Sequence, residues 1–166
     1  MKVNVSSILC SDGLSQNITE ILDISADDFD NKDIVDNEPV KLDGVITNMG
    51  DYLLLSGEID TSLKLVCSRC LEYFDFQLKT KIEEKFSNRT DINQDDFYFF
   101  EGDIIDFKEM VIQDILLSLP MKLICKEDCA GICPQCGKNK NLYNCNCSGE
   151  NLDPRLSVLN ELLKKG

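Results

Sequence analysis

LLLSGEIDTSLKLVCSRCLEYFDFQLKTKIEEKF, the stretch from Leu53 to Phe86, decides the fold. From Leu53 to Leu65 the odd positions read Leu53, Leu55, Gly57, Ile59, Thr61, Leu63 and Leu65. Ser56, Glu58, Asp60, Ser62 and Lys64 lie between them. Alternation with period 2 sends one set of side chains to a buried face and the other to water, so this is a β-strand. The pattern recurs after Cys67-Ser-Arg-Cys70, where Phe74, Phe76, Leu78, Thr80 and Ile82 alternate with Asp75, Gln77, Lys79, Lys81 and Glu83. Upstream, Val40–Ile46 forms a weaker strand, joined through the turn sequence Asn48-Met49-Gly50-Asp51. Three consecutive antiparallel strands are expected. The Cys-x-x-Cys pair sits in the second connection, where a rigid hairpin end aims both sulfurs at one point.

Working outward, residues 2–9 read as a short strand, and Asp27 to Glu38, dense in aspartate, as a solvated loop. That loop is not a calcium site, because no run places alternating oxygen ligands around a sixth-position glycine and a closing glutamate. Phe97-Tyr98-Phe99-Phe100 reads as another short strand. A helix begins at Asp106, with Glu109 giving a capping-box-like start. Phe107, Val111, Ile115 and Leu119 form its apolar stripe, widened by Met110, Ile112, Leu116 and Leu117, and Pro120 ends it. Asp153-Pro154 opens a last helix, with Leu156, Leu159, Leu162 and Leu163 on one side. The expected fold is α+β: an antiparallel sheet covered by a helix, a cysteine-rich zinc-binding extension and a C-terminal helix. Its parts are residues 1–120, 121–150 and 151–166, with the last helix packing back.

The 166 residues carry a formal net charge of −13, unevenly spread. Residues 1–120 hold 10 basic and 25 acidic side chains, and residues 121–166 hold 7 and 5. Duplex binding depends on Lys and Arg neutralising phosphates, so the acidic front repels nucleic acid and suits a basic protein partner. The N-terminus has no signal-like apolar run, and no stretch approaches the roughly 18 apolar residues of a membrane span. A cytoplasmic location is expected, where thiols stay reduced and clustered cysteines bind metal more often than they form disulfides.

Eight of the nine cysteines fall into short-spaced groups. Cys133-Pro-Gln-Cys136 and Cys145-Asn-Cys147 have the spacing of two chelating pairs, and Gly131, Pro134, Gly137 and several asparagines, Asn139 and Asn141 among them, supply tight turns. Cys67, Cys70, Cys125 and Cys129 form a second set by elimination, which requires the hairpin end to meet the segment after Pro120. Two alternatives stay open: Cys67 and Cys70 pair with Cys133 and Cys136, or Cys125 and Cys129 are free thiols. Eight thiolates are enough for two tetrahedral sites, so one or two structural Zn2+ ions are the expected cofactor. Arg69, inside the first pair, either supports its thiolates or contacts a partner. Cys10, outside the groups, reads as a small buried apolar residue.

With no histidine in the chain, Ser-His and Cys-His nucleophiles are excluded. No phosphate-cradling glycine loop is present, and a thioredoxin-like Cys-x-x-Cys needs a βαβ setting rather than an antiparallel hairpin. Four-sulfur zinc sites are closed and leave no position for substrate. These features point to a binding or assembly protein without a small-molecule substrate. A thiol- or zinc-based redox regulator is the alternative.

Several motifs occur in order: Cys67-Ser-Arg-Cys70-Leu71-Glu72, Gly102-Asp103-Ile104-Ile105-Asp106, Leu119-Pro120, Cys129-Ala-Gly-Ile-Cys133-Pro-Gln-Cys136-Gly137 and Asp153-Pro154-Arg155-Leu156. In this the chain resembles the YceD family of bacteria and plant organelles. The resemblance implies a role in accumulation of 23S ribosomal RNA and in building the large ribosomal subunit. The partners it implies are a large-subunit ribosomal protein and/or the 23S rRNA precursor. Arg69 and Arg155 are the candidate partner contacts.

Overall fold

The computed structural model describes residues 2–89 and 96–147. The chain divides into two compact units: Met1–Ser68 with Glu72–Cys125, and Arg69–Leu71 with the chain from Lys126. In the first unit the elements are β1 (Lys2–Asn4), α1 (Ser6–Leu9), β2 (Ser15–Leu22), β3 (Ile34–Asn37), β4 (Val40–Asn48), β5 (Leu53–Val66), β6 (Tyr73–Ser87), β7 (Tyr98–Phe99), β8 (Ile104–Asp106) and α2 (Lys108–Ser118). A 3-10 helix, Ala26–Phe29, lies between β2 and β3.

The central three strands follow the alternation. β5 pairs antiparallel with β6 from Leu53 opposite Phe86 to Val66 opposite Tyr73, and with β4 from Lys41 opposite Asp60 to Asn48 opposite Leu53. Leu53, Leu55, Ile59, Thr61, Leu63 and Leu65 of β5 are buried, as are Leu78, Ile82 and Phe86 of β6. Each such aliphatic side chain contributes roughly 1.5–3 kcal/mol relative to exposure. Thr61 belongs to the same face because its hydroxyl donates to the Glu38 carbonyl, 3.0 Å away. The opposite face carries charges, including Lys79 bonded to Glu58 at 2.6 Å.

Among the described residues the main sheet has six strands in the order β2-β4-β5-β6-β7, with β3 also paired to β5. β7 joins β6 in parallel, so the sheet is mixed at that edge. β1 and β8 form a separate antiparallel pair. α2 buries Met110, Val111 and Ile115, and the Phe107 ring meets Phe86 edge-on at 5.5 Å. The architecture is α+β.

Several local expectations need correction. Residues 2–9 do not form one strand. The Asn4 side chain accepts from the Ser6 N–H, and Ile8 and Leu9 donate to the Val5 carbonyl, which turns the chain into α1. Residues 27–38 are not simply a loop. Ser25 and Asp28 close a capping box on the 3-10 helix, and β3 follows. β2 carries no alternation that marks a strand in the sequence, because only Ile18 and Leu22 among its residues are buried. Cys10 is exposed rather than buried, its thiol 3.5 Å from the Ser6 carbonyl. Leu117 is 83% exposed, so the stripe of α2 is narrower than expected. The helix N-cap is Phe107 without a side-chain cap, although Asp106 still accepts from the Lys108 N–H.

Candidate metal centres

The first cysteine pair sits where β5 gives way to β6. The Cys67 N–H donates to the Glu72 carbonyl at 2.9 Å, and Leu71 takes a left-handed conformation, φ 61°, to complete the connection. Ser68 bonds the Leu123 carbonyl twice, through its N–H at 2.8 Å and its hydroxyl at 2.6 Å. Two residues on, the Cys125 N–H points at the Cys67 sulfur, 3.4 Å away. An N–H aimed at sulfur favours the thiolate, the form that binds metal.

In the second unit, Ile132 bridges Asn139 in antiparallel fashion, which places Cys133 and Cys136 at the end of a tight turn. The Cys133 N–H donates to the Lys138 carbonyl and the Gly137 N–H to the Cys133 carbonyl, both at 2.8 Å. Gly137 needs φ 71° there, the left-handed region that glycine enters without cost. Gly131, at φ 69°, is required twice over, since a Cβ would lie 3.0 Å from the Arg69 carbonyl oxygen. Two asparagines build the connection to the last pair. Asn141 accepts from the Ala130 N–H at 2.9 Å, and its amide donates to Asn139 Oδ1 at 2.8 Å and to the Cys129 sulfur at 3.4 Å. The sequence offered these asparagines only as turn formers. A side-chain amide on a thiolate steadies ligand and charge together.

The sulfurs gather in two groups of four, Cys67 with Cys70, Cys125 and Cys129, and Cys133 with Cys136, Cys145 and Cys147. Within each group all lie within 4.8 Å of one another. The pairing of Cys67 and Cys70 with Cys133 and Cys136 is therefore not the arrangement found. Both donor sets fit a zinc ion: bonds of about 2.3 Å in a tetrahedron put sulfurs about 3.8 Å apart. Cys67, Cys70, Cys129 and Cys133 are buried, whereas Cys136 is exposed. The Cys133 thiol is held down to about 6, first by the Cys136 backbone N–H and then by that of Gln135. Cys147 is pushed up to about 12, first by its hydrogen bond to Cys136. Without a cation, four crowded sulfurs divide into thiolate and thiol, and a bound divalent ion removes that conflict.

Arg69 is committed to the backbone, its guanidinium donating to the Cys129 carbonyl at 3.0 Å and the Glu127 carbonyl at 3.3 Å. It therefore pins the segment that carries Cys129. Arg155 and the helix expected from Asp153 lie outside the described residues. Among the described residues, no helix is long and apolar enough to cross a membrane.

Comparison with known proteins places this arrangement. The family described as large ribosomal RNA subunit accumulation protein YceD matches residues 55–163, from near the start of β5 past both cysteine groups. YlbN of Bacillus subtilis is 33% identical over 138 residues, covering 81% of this chain and 80% of that protein. Rv2926c of Mycobacterium tuberculosis is 28% identical, covering 74% of this chain and 61% of that protein. The chloroplastic large ribosomal RNA subunit accumulation protein YCED homolog 1 of Arabidopsis thaliana is 27% identical, covering 80% of this chain and 51% of that protein. No solved structure matches. The family match spans the hairpin, α2 and both sulfur groups, and on that ground the chain belongs to the YceD family.

Proposed function

We propose that this protein is a non-enzymatic factor in large ribosomal subunit biogenesis that promotes accumulation of 23S rRNA in the cytoplasm. The observation that carries the reading is membership of a family described by large-subunit rRNA accumulation. Two sets of four sulfurs support a structural role for one or two zinc ions, since such sites lack the open position that catalytic zinc keeps. The eight cysteines of the two groups act as the ligands. The charge division supports two kinds of contact: the acidic unit holds a basic large-subunit ribosomal protein, and the near-neutral tail, with Arg155, touches precursor rRNA. Arg69 acts there through the segment it pins.

A tagged pull-down from growing cells, split into ribonuclease-treated and untreated halves, tests this. The expected result is 23S precursor RNA that disappears after treatment and a basic ribosomal protein that persists. Recovery of neither would overturn the reading.

One observation favours a second reading, a thiol- or zinc-based redox regulator: Cys136 is exposed beside a Cys133 thiol held down to about 6. Mild oxidant would then release zinc with formation of a disulfide. Zinc retained under oxidant counts against regulation.

A further inference from the structure

In the first unit, the 3-10 helix, β8, the first turns of α2 and the residues around β7 enclose an open groove of about 1060 Å³. Two kinds of surface line it. Phe99 and Ile104 are 42% and 46% exposed, with Ile112 half-buried between core and groove. Around these apolar groups stand five carboxylates, those of Asp28, Asp30, Glu101, Asp106 and Glu109, with the ammonium groups of Lys2 and Lys108 among them. The N-terminal ammonium bonds Asp106 and holds its carboxyl below the usual range, so five carboxylates face three cations. Lys108 is already bonded to Asp28 at 2.9 Å. The balance of the groove is therefore acidic over an apolar floor.

We infer that this groove is the docking site for an extended Lys/Arg-rich segment of a basic protein. The inference rests on the assembly reading above and locates its protein contact. Charge selects the occupant: a groove of net negative charge in a chain of −13 attracts a cationic segment and repels RNA. The apolar floor selects a peptide over a metal ion. Lys and Arg lay their methylene stems on apolar surface while the charged heads reach carboxylates, and Arg also stacks on an aromatic face.

Fluorescence anisotropy on the full chain, with a labelled Lys/Arg-rich peptide containing leucine, tests the inference. Charge reversal in the groove (Glu101→Lys with Glu109→Lys) should weaken binding about tenfold. Loss of the floor (Phe99→Ser with Ile104→Ser) should weaken it about threefold without changing any charge. The same charge reversal on the open sheet face (Asp43→Lys with Glu83→Lys) should leave binding within about twofold. Far-UV circular dichroism checks that each variant is folded. Equal losses from groove and sheet-face reversals would overturn the inference, because the peptide would then sense only the overall field. Absence of peptide binding by the unmodified chain would overturn it too. A pull-down distinguishes this from failure of the assembly reading. A basic ribosomal protein recovered equally by the unmodified chain and the groove reversal removes the groove and leaves that reading standing. Groove-dependent peptide binding without any ribosomal component does the opposite.

Discussion

The sheet unit and the cysteine-rich unit reach a defined structure by different physical means. In the sheet, Leu55, Ile59, Leu63 and Leu65 on β5 and Leu42 and Ile46 on β4 are fully buried, so order comes from apolar area removed from water. In the cysteine-rich unit, Ile132, Leu142 and Tyr143 are exposed, and the described chain is turns and one isolated bridge. Its order rests on sulfur groups, left-handed glycines and asparagine bonds. A segment with so little apolar burial does not offset the entropy of fixing its backbone, and a metal ion held by the sulfur groups, as proposed above, would supply the difference.

Metal removal should separate the two regions most sharply. Structural zinc contributes on the order of 10–16 kcal/mol in small cysteine modules, more than such a segment holds otherwise. A strong chelator is therefore expected to collapse NMR dispersion for residues from Lys126 while the sheet keeps its amide signals. Melting of both together would erase the contrast. A Cys133→Ser variant should lose one zinc per chain, measured by mass spectrometry under native conditions.

The second test acts on the sheet alone. Leu63→Ala removes a fully buried side chain and should cost about 2–5 kcal/mol in denaturant unfolding, with zinc content unchanged. A smaller effect is expected at Gly57, paired with Gly44 across β4 and β5. A Cβ at Gly57 would lie 2.6 Å from the Asp43 carbonyl oxygen, so Gly57→Ala forces the strands apart and should cost about 1–3 kcal/mol. Asn141→Ala sharpens the other side of the comparison. It removes the bonds to the Ala130 N–H and the Cys129 sulfur and should weaken zinc retention about 10–100-fold, read by competition with a chromogenic chelator.

The smallest effect concerns pH. Asp114 on α2 has a buried, unpartnered Oδ2, and burial, with Glu84 nearby, pushes its carboxyl up to about 6. An acid with its folded value above its unfolded one holds its proton more tightly when folded. The sheet unit is therefore most relieved below the ordinary carboxylate value, and that relief is lost as pH rises through about 6. Since the group is half exposed, the effect is of order 1 kcal/mol or less after solvent screening. Asp114→Asn should flatten the difference in melting temperature between pH 5 and 7.5, and an unchanged difference would assign it to other groups.

Where a strand is long and half-buried, as in β5 and β6, period-2 alternation gives it away from sequence. β2 and β3 escape that test because they present few buried side chains, Ile18 and Leu22 in one and Ile34 in the other. Their pairing is satisfied by backbone groups and by neighbours distant in sequence, which no local pattern encodes. The exposure of Cys10 and Leu117 has the same cause: burial depends on what packs opposite, not on residue type.

By itself the sequence determined the hairpin that presents Cys67 and Cys70, a helix between Asp106 and Pro120, and the two closely spaced cysteine pairs between Cys133 and Cys147. Each of these rests on short-range periodicity or spacing. Only the tertiary structure decided that Cys125 and Cys129 join Cys67 and Cys70, and that Arg69 serves backbone carbonyls. It also decided that Asn141 reaches a sulfur and that acids from three separate segments line one apolar-floored groove. Those relations join residues up to about sixty or more positions apart, and closing such loops depends on the whole packed chain rather than on any window of it.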